Sequence, residues 1–137
     1  MITAVDTSVL IDVFGNDRDF GRVSAEGLRE CLRTGTLIAC DVVWSETRAV
    51  FPDEASFTSA MTTLGVRFSP LNERSAGHAG SAWQAYRKAG GKRTRLMADF
   101  IIGAHALHQA DRLLTRDRGY YRSYFAGLKL VELMDRD

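Results

Sequence analysis

The chain has 137 residues, 45% hydrophobic and 26% charged, an ordinary globular balance with no repeat or low-complexity tract. That length suits one domain, expected over residues 1–137, with a single core. A net charge of +1 does not by itself predict a nucleic-acid partner, and Met1 to Asp6 lacks both a basic region and a leader-length apolar run, so a cytoplasmic protein is expected.

In chain order, Ile2 to Val5 is a short apolar run that reads as a strand ending at Asp6. Asp6-Thr7-Ser8 then offers three cap-type residues before Val9, Leu10, Ile11 and Val13, so a strand feeds directly into a helix. Gly15-Asn16-Asp17 is a turn. Phe20, Val23, Leu28, Cys31 and Leu32 recur at helical spacing up to Gly35. Thr36 to Cys40 is a second strand, and Asp41 is placed to cap a helix carrying Val42, Val43, Glu46, Ala49 and Val50. Pro52-Asp53 starts another helix that ends at Gly65, and Val66 to Phe68 is a third strand. Asn72 leads into a helix with Ala76, Ala79, Trp83 and Tyr86, which Gly90-Gly91 ends before a basic loop, Lys92 to Arg95. A central helix runs from about Met97 to Ala110. Arg112 to Thr115 and Leu128 to Leu133 are the last two strands, with Leu128, Leu130 and Glu132 offered as one face. Tyr120, Tyr121, Tyr124 and Phe125 lie between them. Strands alternating with helices predict an α/β fold: a mainly parallel sheet of four to five strands with helices on both faces.

The central helix carries the most information. From Leu96 to Leu107 only Asp99 and His105 are strongly polar, and the stretch is too short to cross a bilayer. A carboxylate inside such a helix is costly unless paired, hydrogen-bonded or bound to a metal. At about 100° per residue, Asp99 shares a stripe with Ile102, Gly103, Ala106 and Ala110, mostly small, which predicts an open cleft beside it. Ligands of parallel sheets bind beyond the carboxyl ends of the strands, at a topological switch point. Asp6 and Asp117 follow strand ends there, and Glu46 lies early in the helix after the second strand.

Asp6, Glu46, Asp99 and Asp117 therefore form a candidate constellation. Crowded carboxylates raise one another's pKa unless a cation neutralises them. Oxygen ligands suit Mg²⁺, with Mn²⁺ as an alternative, and such an ion polarises a phosphoryl oxygen or activates water. Ser8 and Thr115 stand beside two of the acids and could orient a carboxylate or a water. Singly, each acid has a plainer reading: Asp6 as a helix cap, Glu46 as a solvent-facing residue, Asp117 as a turn residue. If the four acids share an ion, eighteen basic residues face thirteen acidic ones elsewhere, a balance of +5 that favours a polyanion. Arg93, Arg95 and Arg116 are the expected phosphate contacts, with Arg87, Lys88, Lys92, Arg118 and Arg122 nearby; a solvated helix end and loop is the plainer reading of these residues. The four aromatics around Tyr121 suit base stacking or, more simply, core packing. His105 and His108 share a helix face turned away from Asp99 and are expected to be hydrogen-bonded or dimer-facing. Cys31 and Cys40 match no metal or redox spacing and are expected to be buried thiols.

The set resembles the PIN domain, specifically the VapC-type toxins of bacterial toxin–antitoxin pairs. The resemblance rests on Asp6-Thr7-Ser8-Val9-Leu10, Ser45-Glu46, Arg95 to Ala106 and Leu114-Thr115-Arg116-Asp117-Arg118-Gly119-Tyr120-Tyr121, in the family's order. It implies a Mg²⁺-dependent, usually dimeric endoribonuclease whose RNA cleavage arrests translation and whose cleft is blocked by a small VapB-type antitoxin. It makes Asp6, Glu46, Asp99 and Asp117 the catalytic acids, with Asp6, Asp99 and Asp117 on the metal. An inactive PIN-like module that binds RNA or protein would be expected to have a gap in the acidic set. A phosphoryl-accepting regulatory domain would want a second acid beside Asp6, where Thr7 and Ser8 stand. A haloacid-type phosphatase would want an aspartate in place of Ser8.

Overall fold

A computed structural model describes residues 1–92, 97–131 and 133 of the chain. The expected Arg93 and Arg95 contacts, the side chain of Arg118 and the strand position of Glu132 lie outside the described residues.

The first strand, β1 (Ile2–Val5), runs into helix α1 (Thr7–Phe14), and α2 (Gly21–Thr34) returns to β2 (Thr36–Ala39). Two helices, α3 (Asp41–Arg48) and α4 (Glu54–Leu64), precede β3 (Val66–Phe68). Next come α5 (Glu73–Lys88), α6 (Met97–Gln109) and β4 (Arg112–Leu114), then α7 (Arg118–Tyr124) and β5 (Leu130–Val131). The strands form one sheet in the order β3-β2-β1-β4-β5, and every pairing is parallel.

β1 is central, hydrogen-bonded on both sides. This explains why its sequence is continuously apolar rather than alternating: both faces are covered. Ala4, Val5, Leu37, Ala39, Leu113 and Leu114 are all buried at the middle of the sheet. The chain steps outward from β1 to β2 to β3, then crosses back to β4 on the far side of β1. With right-handed crossovers, the helices of the outward steps cover one face and those of the return cover the other. Ring packing agrees. Phe14, Trp44, Phe51, Phe57 and Phe68 form one aromatic group, and Trp83, Tyr86, Phe100, Tyr120, Tyr124 and Phe125 form a second. The direction reverses between β1 and β4, so the crevice beyond their carboxyl ends is the switch point where such sheets bind ligands.

Local chemistry sets several boundaries as expected. Asp53 caps α4 by accepting the Ser56 N–H at 2.7 Å, and Asn72 caps α5 by accepting the Ser75 N–H at 2.9 Å. Gly65 ends α4 in the left-handed region at φ 83°, donating to the Met61 and Thr62 carbonyls. Asp41 departs from its expected role: Cys40 holds the cap position of α3, and the Asp41 carboxylate instead accepts the Leu71 N–H at 2.7 Å. Among the described residues β5 covers Leu130–Val131 at the sheet edge, and Leu128 and Lys129 lie before it rather than within it.

Candidate active site

Four segments converge on a cleft of about 500 Å³ at the switch point. Asp6, Glu46, Asp99 and Asp117 all line it, and Thr7, Ser8, Ile102 and Arg116 complete the wall. Each acid is held differently.

Asp6 directly follows β1, and its N–H extends the ladder by donating to the Leu114 carbonyl at 3.0 Å. It occupies the cap position of α1, yet its side chain makes no capping bond. Instead Oδ2 accepts the Thr115 hydroxyl at 2.7 Å and the Tyr121 hydroxyl at 3.3 Å. Burial pushes the Asp6 pKa up; the Thr115 bond opposes this, and the neighbouring Asp99 charge adds to it. Burial also pushes the Tyr121 phenol well above its ordinary value, with Asp6 and Asp99 contributing, so Tyr121 stays protonated and acts as a donor. Thr115 is fully buried and accepts the Asp117 N–H at 3.0 Å, which leaves its own proton for Asp6. One hydroxyl thus ties the Asp6 carboxylate to the Asp117 backbone.

Asp117 takes the cap position of α7 without a side-chain capping bond. Asp99 stands in the first turn of α6, half-buried at the cleft. Glu46 is exposed on α3, and its Oε1 accepts the Thr7 hydroxyl at 2.7 Å. The Ser8 Oγ is buried at the wall with no hydrogen-bond partner among the described residues.

Arg116 lines the cleft, but its guanidinium is engaged elsewhere. Nε and Nη2 donate to Asp12 at 2.7 and 3.0 Å, and the group lies 4.1 Å over the Phe20 ring. Asp12 is 3% exposed and also accepts the Ser24 hydroxyl at 2.8 Å. Sequence reasoning missed Asp12, Thr7 and Tyr121 as parts of this site. Asp12 sits in an ordinary helix pattern, and Tyr121 was grouped with the core aromatics. The small stripe on α6 also needs correcting. Gly103 does not open the cleft: a Cβ there would run into the Phe125 ring, so the glycine admits an aromatic side chain.

Other expectations resolve into structure. His105 is buried with Nε2 2.9 Å from Ser69 Oγ, whereas His108 Nε2 lies 2.7 Å from His78 Nδ1 on α5, so the two helix neighbours serve different partners. Tyr120, Tyr121 and Phe125 are buried core residues, and Tyr124 packs against them half-buried. Cys31 and Cys40 are buried free thiols, and burial pushes both pKa values up.

The donor set is all oxygen, which fits a hard divalent cation rather than a thiolate-seeking one. Among the described residues no three His, Cys, Asp or Glu side chains are drawn together as a finished cage. Mg²⁺ is commonly held by one or two carboxylates with waters and substrate oxygens filling the remaining positions, so the set fits that mode of binding. Asp6 and Asp99, close enough for one charge to raise the other's pKa, are the pair that a cation would relieve.

The PIN domain family model matches residues 3–126. Among curated proteins none matches the chain by sequence. Several solved structures share its fold. VapBC2 from Rickettsia felis, bound to a DNA fragment from its promoter, aligns at 15% identity over 96% of this chain and 98% of that one, with a TM-score of 0.71. VapBC-1 from nontypeable Haemophilus influenzae aligns at 20% identity over 97% and 98%, with a TM-score of 0.70. Mycobacterium tuberculosis VapC20, a sarcin–ricin loop cleaving toxin, aligns at 14% identity over 93% and 98%, with a TM-score of 0.58. These likenesses concern the fold, whereas the family match spans nearly the whole sequence: the chain belongs to the PIN domain family.

Proposed function

We propose that this chain is a divalent-metal-dependent endoribonuclease acting as the toxin of a toxin–antitoxin pair. The observation that carries the reading is the convergence of Asp6, Glu46, Asp99 and Asp117, from four separate segments, on one cleft at the sheet's switch point. Membership of the PIN family and the likeness to VapBC and VapC structures support it. Asp6, Asp99 and Asp117 would hold Mg²⁺ or Mn²⁺, which when bound neutralises charge on the scissile phosphate.

The chain's own groups divide the remaining work. Thr115 and Tyr121 hold Asp6 by Oδ2. Glu46, steadied by Thr7, or Asp117 positions the attacking water and takes one proton from it as its oxygen bonds to phosphorus, and the ribose oxygen whose bond to phosphorus breaks leaves with a proton from solvent water. Arg93, Arg95 and Arg116 are the basic residues assigned to the RNA strand, and the buried hydroxyl of Ser8 is placed to orient a ligand in the cleft. Such cleavage would inhibit translation in the cytoplasm. A VapB-type antitoxin would neutralise it by blocking the cleft, and the toxin is proposed to work as a homodimer. No helix of the described residues is long and apolar enough to cross a membrane.

The competing reading is an inactive RNA- or protein-binding module of the same fold, and the lack of a finished three-ligand cage among the described residues is what favours it. Labelled RNA incubated with purified protein separates the two. We expect cleavage with Mg²⁺, none with EDTA, and none from Asp99→Asn, whose melting temperature stays near that of the unsubstituted protein. Cleavage retained by Asp99→Asn would refute the mechanism. RNA bound but never cut, with any divalent ion, would establish the inactive module.

A further inference from the structure

Arg116 is a poor candidate for the mobile phosphate contact that its position in the sequence suggests. One bidentate edge of its guanidinium, Nε and Nη2, is already on Asp12 at 2.7 and 3.0 Å, which fixes the plane of the group. Asp12 is buried and cancels the guanidinium charge locally. Arg116 lines the cleft with its side chain 33% exposed, and its guanidinium lies 4.1 Å over the Phe20 ring. Phe20 is itself 44% exposed, so its ring is open to a ligand. Its backbone is pinned: Asp17 Oδ1 accepts the Asp19 and Phe20 N–H groups at 2.9 and 2.8 Å. Ser24, one turn into α2, shares the Asp12 carboxylate with Arg116. Loop, helix and cation are thus fixed in one arrangement before any ligand arrives.

A planar cation lining an acidic cleft, with one edge held by a buried carboxylate and its plane stacked on an exposed aromatic ring, suits an unpaired base. Bases splayed from single-stranded RNA stack on aromatic rings and on guanidinium planes. We propose that Arg116 and Phe20, held by Asp12, form a stacking platform for one nucleobase of single-stranded RNA next to the scissile phosphate. The proposal rests on the nuclease reading and adds a subsite that selects for an unstacked base. Arg116 acts there through its plane, which Asp12 holds by one edge.

The test compares a short oligoadenylate with an abasic ribose-phosphate oligomer of equal length, bound in Mg²⁺ to the Asp99→Asn protein so that neither is cut. Fluorescence anisotropy over a salt series gives affinity and salt slope. The platform predicts roughly tenfold tighter binding of the oligoadenylate, in keeping with the stacking of one base. Phe20→Ala and Arg116→Lys, each made in that background, should bring the ratio close to one, and Phe20→Ala should do so with the salt slope unchanged. Phe20→Ala changes an exposed side chain, and a melting curve confirms that the variant is folded. If instead Arg116→Gln weakens both oligomers equally and lowers the salt slope by about 0.7, Arg116 is a phosphate contact and the platform is wrong. A ratio that survives both Phe20→Ala and Arg116→Lys overturns it as well. If the parent protein binds neither oligomer the platform is wrong, while the nuclease reading stands or falls separately on Mg²⁺-dependent cleavage of labelled RNA by the unsubstituted protein.

Discussion

Thr115→Val is the sharpest probe of how the site is built. Valine matches threonine in shape, so the fully buried position keeps its packing and loses only the hydroxyl. Two bonds go with it: the donation to Asp6 Oδ2 at 2.7 Å and the acceptance of the Asp117 N–H at 3.0 Å. A hydrogen bond to an ionised carboxylate contributes about 1.5–3 kcal/mol, and a neutral one about 1 kcal/mol. Burying a methyl in place of the hydroxyl returns about 1 kcal/mol. The net loss is about 2 kcal/mol at neutral pH, which lowers the melting temperature of a chain this size by roughly 6 °C. In acid, where Asp6 is protonated, the first bond becomes neutral and the loss shrinks to about 1 kcal/mol. The assay is thermal unfolding with EDTA present, at neutral and acidic pH. Affinity for Mn²⁺, read by electron paramagnetic resonance, should fall at least tenfold, because Asp6 is no longer aimed. A melting shift that is equal at the two pH values would show that the hydroxyl does not act through the Asp6 charge, and the reasoning would fail.

Three further outcomes follow from the same geometry. Asp6→Asn should raise the melting temperature of the metal-free protein at neutral pH. Asp6 has a raised pKa, so its stabilising contribution is complete below the unfolded-state value and is lost as pH rises through the folded-state value; the variant's advantage should therefore vanish in acid, and an advantage that grew in acid would contradict the assignment. Tyr121→Phe keeps a ring packed against Tyr120 and Phe125 and removes only the longer bond to Asp6. It should weaken Mn²⁺ binding severalfold without lowering the melting temperature, and unchanged binding would show the 3.3 Å contact to be incidental. Gly103→Ala should cost about 1–3 kcal/mol, measured as a lower urea midpoint, because the added methyl displaces the buried Phe125 ring; an unshifted midpoint would mean that the ring yields freely.

Much of the fold could be read from the chain because β1, β3 and the caps Asp53 and Asn72 are governed by neighbours within a few residues. Asp99 could be read for a related reason: a charge in an apolar helix is costly wherever the helix goes. Asp12 could not. Between Ile11 and Val13 it looks like any polar position on a short helix, and the partner that makes its burial tolerable lies 104 residues away. Tyr121 was hidden by its own ring, which packs in the core as an aromatic there should, while its hydroxyl reaches a carboxylate 115 residues back. Arg116 shows the same limit in reverse. Its type and place suggested a phosphate contact, and only the fold reveals that Asp12 holds it.

The same distinction separates the four acids. Asp6 is over-determined: two buried donors fix one oxygen, and β4 fixes its backbone, so its orientation is set before a ligand arrives. The Asp117 backbone N–H is tied to the same Thr115 hydroxyl. Glu46 is exposed at the end of a long side chain and takes a single bond from Thr7. An acid held that lightly can move about a bound phosphate at little cost, whereas one held as Asp6 is cannot. The rigidly held acid, Asp6, therefore lies at the β1–β4 switch point and the lightly held one, Glu46, on α3, which is the division the proposed nuclease would need between holding an ion and adjusting to substrate.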